Sequence, residues 1–150
     1  MSEKLLTETA LNVRDTFENI SKAAEKAGRD PSEIRLMAVT KTVAPEKINM
    51  AIKSGCNLLG ENKVQELLEK YEFYDKSAEI HFIGRLQTNK VKYIVDKVSM
   101  IESVDSIKLA EEIEKRCSKI DKIMDILLEV NIADEESKGG FSAANIAAAQ

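Results

Sequence analysis

The chain has 150 residues, of which 43% are hydrophobic and 32% charged, and its formal net charge is −4. Length and composition fit one soluble globular domain with a core of its own and exclude a disordered chain. The acidic balance argues against a protein that holds nucleic acid by neutralising phosphates.

No apolar run approaches the roughly 18 residues of a membrane span, and the opening "MSEKLLTETA" lacks a signal-peptide core. Cys56 and Cys117 stand far apart with no C-x-x-C spacing, so neither a disulfide scaffold nor a zinc site is indicated. A single histidine excludes a multi-histidine metal centre. The expected setting is cytoplasmic and thiol-reducing, without metal, membrane or nucleic acid.

The first element is a helix. Leu6, Ala10, Val13, Phe17, Ile20, Ala24 and Ala27 alternate steps of four and three, one apolar stripe, and Gly28 is expected to stop it as a left-handed cap. A pattern then recurs. "IRLMAVT" (34–40) reads as a strand and "PEKINMAIKSG" (45–55) as a helix, with Pro45 in its first turn. "NLLGE" (57–61) is a short strand, followed by a helix from Asn62 to about Tyr74. "EIHFIG" (79–84) is a strand, and "TNKVKYIVDKV" (88–98) a helix. "SMIESV" (99–104) is a strand, and Ser106 to about Cys117 a helix with Ile107, Ala110, Ile113 and Cys117 on one face. "MDILLEVNI" (124–132) is a strand, and "SAANIAAAQ" (142–150) opens another helix with Ser142 as its cap.

Strands alternating with helices imply a parallel sheet with helical crossovers. Two architectures satisfy this: a doubly wound sheet, or part of a (β/α)8 barrel. Neither G-x-G-x-x-G nor a phosphate loop ending in Gly-Lys-Ser/Thr occurs, which weighs against a nucleotide-binding sheet. A whole barrel needs about 250 residues, so the chain is expected to supply only part of one. The alternative is a five-stranded domain that ends in a frayed helix.

Ligands of parallel α/β folds bind at the carboxyl ends of the strands. Those ends carry, in order, Lys41, Glu61 with Asn62, Gly84 to Gln87, Glu102 with Ser103, and Asn131. A lysine placed there can form an imine with an aldehyde when its amine is partly neutral, which an apolar base such as Leu36 to Val39 would favour. A snorkelling surface lysine is the ordinary alternative.

"AVTKT" (38–42), "GENKVQE" (60–66), "HFIGRLQTNK" (81–90) and "VNIADEESKGGF" (130–141) together resemble the YggS/PROSC family of pyridoxal phosphate homeostasis proteins, in order and in spacing. The resemblance implies a (β/α)8 TIM-type barrel like the N-terminal domain of alanine racemase. Here it would reach about the first five β/α units, preceded by a helix over about 2–28, in one domain spanning 1–150. It implies pyridoxal 5′-phosphate as cofactor, held by Lys41 as an internal aldimine. Asn62, Asn131 and Lys138 are the further cofactor-binding candidates. Each has a plainer role: helix cap for Asn62, strand-end amide for Asn131, solvated loop lysine for Lys138.

His81 is expected as a hydrogen-bonded interior residue, and Cys117 as core. Arg85 stands where many relatives carry proline, a tolerant loop position, while Gln87 and Asn89 organise the next helix start. The family's phosphate cup, and its arginine partner for the pyridine nitrogen, lie in strands after Gln150, so weak cofactor binding and an open sheet edge are expected.

The implied function is that of a carrier supporting vitamin B6 and amino-acid homeostasis without catalysis of its own. Its partners would be the cofactor and acceptor enzymes that lack it, and its full-length form would be a monomer. The rival is a racemase or other Schiff-base enzyme of the same barrel type. Tyr71, Tyr74 and Tyr93, the bases it could recruit, fall in helical stretches away from the strand ends.

Overall fold

A computed structural model describes residues 2–132 and 139–142. Five strands follow one another in the sheet in chain order: β1 (Met37–Val39), β2 (Leu58–Glu61), β3 (Glu79–Phe82), β4 (Met100–Val104) and β5 (Asp125–Leu128). The helices α1 (Glu3–Lys26), α2 (Pro45–Lys53), α3 (Val64–Lys70) and α4 (Ile107–Cys117) alternate with them. The chain forms two compact units, Met1–Gly60 with Lys70–Glu79, and Glu61–Glu69 with Ile80–Gln150.

In the first unit, α1 carries the expected stripe. Ala24 is buried, while Leu6, Ala10, Val13, Phe17 and Ile20 are half-covered and Ala27 is exposed. Gly28, at φ 68°, takes the left-handed conformation that ends the helix, and the Arg29 amide returns to the Ala24 carbonyl. Helix α1 packs on α2, whose Ile48, Ala51 and Ile52 are buried. The Asn49 side chain donates to the Phe73 carbonyl and accepts from the Asp75 amide, tying α2 to the short 3-10 turn at Tyr71–Phe73. The helix expected from Asn62 to Tyr74 therefore stops at Lys70. β1 pairs in parallel with β2, Met37 opposite Leu58 and Val39 opposite Gly60, and covers less than the strand expected over 34–40.

In the second unit, β3 and β5 flank β4 in parallel, with His81 opposite Met100 and Ile101 opposite Ile126. Phe82, Val91, Ile94, Ile101, Val104 and Leu109 are almost wholly buried and form its core. Burial of such side chains contributes about 1.5–3 kcal/mol each, so the sheet and its crossovers hold each other in place.

The stretch 88–98 is not an α-helix. It begins as a 3-10 helix at Thr88–Tyr93 and continues through turns. Its apolar positions, Val91, Ile94, Val95 and Val98, still face inward, since their spacing satisfies either winding. The Lys122 ammonium bonds the carbonyls of Val95 and Val98, so these groups do not need a continuing helix to satisfy them.

Helix α4 begins as expected, with the Ser106 hydroxyl accepting from the Leu109 amide. Its buried face is Leu109, Ile113 and Cys117, whereas Ile107 in the first turn is 46% exposed. The strand expected over 124–132 is regular only at Asp125–Leu128, and Val130 then bridges Phe141. The helix expected over 142–150 lies, apart from Ser142, outside the described residues.

Candidate functional site

Lys41 is the second residue after β1. Thr40 before it is buried, donates its amide to the Gly60 carbonyl at 3.1 Å, and accepts the Val43 amide at 3.1 Å. That bond closes a tight turn with Lys41 and Thr42 at its corner. Thr42 takes φ 61°, a left-handed conformation that a β-branched residue rarely adopts, and its hydroxyl donates to the Lys41 carbonyl at 2.6 Å. The Lys70 ammonium, at the end of α3, donates to the Thr40 carbonyl at 2.9 Å. After the turn, Pro45 opens α2 at a position where its missing N–H costs nothing.

Lys41 itself is exposed, and Val39 is 51% exposed. The apolar base expected of Leu36 to Val39 therefore does not enclose the lysine within this unit. Cys56 donates its thiol to the Leu36 carbonyl at the foot of β1. Burial raises the pKa of Cys56, as it does that of Cys117, so both remain inert thiols in the core.

The remaining candidates fall in the second unit. Asn62 follows β2, half-buried, and α3 begins only at Val64, so Asn62 is not the residue that immediately precedes that helix. Gly84, after β3, rests directly on it. A Cβ at Gly84 would lie 2.0 Å from the Asn62 carbonyl oxygen and 2.7 Å from its side-chain Oδ1. The Ser103 hydroxyl donates to the Gly84 carbonyl at 2.5 Å, and the Ile83 amide to the carbonyl of the wholly buried Glu61 at 2.9 Å. Three strand ends are thereby tied together at one edge.

Asn131 is held by its backbone, its amide donating to the Phe141 carbonyl, while Phe141 donates to Glu129. Lys138 lies outside the described residues. An open cleft of about 850 Å3 runs over the ends of β3 and β4, lined by Arg85, Gln87, Thr88, Asp105, Ser106 and Gly139 among others. Arg85 reaches Asp105 at 3.8 Å across it. Neither Asn62 nor Asn131 lines this cleft.

His81 is 4% exposed, and its Nδ1 lies 2.6 Å from Glu102 Oε1, an interior hydrogen bond of the kind the sequence suggested. No group of three or more His, Cys, Asp or Glu placed to hold a metal occurs among the described residues. Likewise, no described helix is long and apolar enough to cross a membrane. Sequence reasoning did not single out Lys70 within the helix expected from Asn62 to Tyr74, because its partner Thr40 is 30 residues away and leaves no local signal.

The parallel pairing and the strand-helix alternation define an α/β protein of the barrel-forming class. The chain belongs to the family described as "Alanine racemase, N-terminal domain", whose profile matches residues 12–150, in agreement with the YggS/PROSC resemblance of its four motif blocks.

Among curated proteins it is similar to the "Pyridoxal phosphate homeostasis protein" of Aquifex aeolicus, 49% identical over 131 residues, which cover 87% of this chain and 58% of that protein. The Escherichia coli K12 protein of the same name is 32% identical, over 94% of this chain and 62% of its own length. The chain thus spans about three fifths of the curated relatives it matches.

Among solved structures, an unknown protein from Bifidobacterium adolescentis superposes with a TM-score of 0.88 at 35% identity, covering 97% of this chain and 64% of that one. PipY of Synechococcus elongatus, solved with PLP bound, superposes with a TM-score of 0.69 at 28% identity, covering 86% of this chain and 60% of that one.

Proposed function

We propose that the chain binds pyridoxal 5′-phosphate through Lys41 and serves vitamin B6 and amino-acid homeostasis as a carrier, without catalysis of its own. The observation that carries this reading is an exposed primary amine on a rigid turn directly after a parallel strand. That donor chemistry fits an aldehyde-bearing cofactor. The names of the relatives, and the PLP bound to PipY, support the same choice. When bound, pyridoxal phosphate would supply an electrophilic aldehyde within reach of the Lys41 amine.

The chain's own residues then have separate tasks. Lys41 presents the amine. Asn62, fixed against Gly84, offers an amide that can donate or accept a hydrogen bond, and Asn131 offers the same after β5. Lys138 supplies a point charge for phosphate. The Arg85 cleft provides a second polar surface over the strand ends. Acceptor enzymes lacking their cofactor are the natural recipients, the setting is cytoplasmic, and the full-length protein is a monomer.

A racemase reading needs a second base next to the cofactor. Tyr71 and Tyr93 lie in 3-10 turns and Tyr74 directly follows one, so none of them follows a strand. The carrier reading is therefore preferred.

Its test is chemical. The purified chain, mixed with pyridoxal phosphate and reduced with borohydride, should carry the pyridoxyl mass on Lys41, and Lys41→Ala should lose it. Label spread evenly over surface lysines, with Lys41 no better than the rest, would overturn the assignment.

A further inference from the structure

The turn that displays Lys41 is fixed more firmly than its exposure suggests. Thr40 is 4% exposed and is held at both of its backbone polar groups. Its N–H is bonded to Gly60 in β2, and its carbonyl accepts both the Val43 amide and the Lys70 ammonium, at 3.1 and 2.9 Å. A carbonyl has two lone pairs, and here both have donors. On the other side of Lys41, Thr42 sits at φ 61° and its hydroxyl donates to the Lys41 carbonyl. A threonine stays in that conformation only where its surroundings over-determine it.

We propose that Lys70 is a positioning residue for Lys41: by bonding the Thr40 carbonyl it locks the strained turn and fixes where the Lys41 side chain begins. This inference rests on the reading of Lys41 as the cofactor lysine and deepens it. A long exposed lysine samples many rotamers, and on a loose backbone its amine would be spread wider still. Fixing the backbone on both sides of the residue removes part of that freedom before the aldehyde arrives, which raises the effective concentration of the amine at one place. Lys70 touches neither the aldehyde nor the bond that forms. Its positive charge serves to strengthen a hydrogen bond to a neutral carbonyl.

The test compares the unaltered 150-residue chain with Lys70→Met, Lys70→Arg and Thr42→Gly. Each is titrated with pyridoxal phosphate, reduced with borohydride, and mapped by mass at Lys41 and, as an internal reference, at the exposed Lys22. Far-UV circular dichroism and thermal melting are recorded alongside.

Lys70→Met should weaken labelling of Lys41 about tenfold, the loss of one charge-assisted hydrogen bond, with labelling of Lys22 unchanged. Lys70→Arg, which keeps a cationic donor, should recover most of it. Thr42→Gly should melt no lower than the parent, since glycine tolerates the left-handed conformation, and yet label Lys41 more weakly because the turn is looser. A merely structural role cannot combine weaker labelling with undiminished stability. Equal labelling of Lys41 in the parent and in Lys70→Met, or in the parent and in Thr42→Gly, overturns the proposal. No preferential Lys41 label in the parent chain overturns the cofactor reading as well.

Discussion

Gly84 shows how little room the strand ends leave. Its missing side chain is the condition for the close approach to Asn62, because a methyl group there would meet a backbone oxygen at 2.0 Å. Backbone cannot swing aside as a long side chain can, so Gly84→Ala should cost roughly 2–4 kcal/mol of stability. It should also displace Asn62 from its place after β2. A urea denaturation curve measures the first effect, and a midpoint equal to that of the parent chain would show that the loop relaxes freely. His81 and Glu102 make the contrasting case: a histidine expected inside and hydrogen-bonded is held by its neighbour on the adjacent strand.

The segment between β3 and β4 shows how a tertiary contact finishes a crossover. Even an α-helix over 88–98 would leave its last four carbonyls without intrahelical donors; here the chain winds as a 3-10 helix and then as turns, and Lys122 satisfies the carbonyls of Val95 and Val98 from outside. Lys122 stands after α4, so one side chain joins the end of one crossover to the end of another. Lys122→Met keeps the aliphatic stem and removes the donor, leaving two part-buried carbonyls short of a partner. The expected loss is about 1–3 kcal/mol, read as a lower urea midpoint with an unchanged slope. Lys122→Arg should fall between the two.

At the scale of the molecule, β5, the last strand of the described sheet, presents the surface that bears on behaviour in solution. Around β5, Ile123 is 93% exposed, Leu127 50% and Ile132 89%, an apolar surface beside a strand that ends the sheet order. Such an edge offers backbone donors and acceptors together with apolar side chains to any similar chain. The 150-residue chain should therefore associate as its concentration rises, and Leu127→Lys should shift it toward monomer in sedimentation velocity. A parent chain that sediments as monomer at every concentration would show that this surface is not adhesive.

Much was readable without a structure because it is local. The alternation of apolar runs with periodic stripes identified the five described strands, α1, α2 and α4, and the Gly28 stop, since each depends on residues within a few positions of one another. The same logic put Lys41 after the first strand and His81 inside. What the tertiary structure alone decided depends on residues far apart in the chain. The stop of α3 at Lys70, the non-helical path of 88–98, and the burial of Leu109 where Ile107 was expected all follow from packing rather than periodicity. So do the contact of Gly84 with Asn62 and the bond from Lys70 to the Thr40 carbonyl. A period of 2 or 3.6 says which way a side chain faces. It carries no information about which carbonyl, 30 residues distant, a lysine will find.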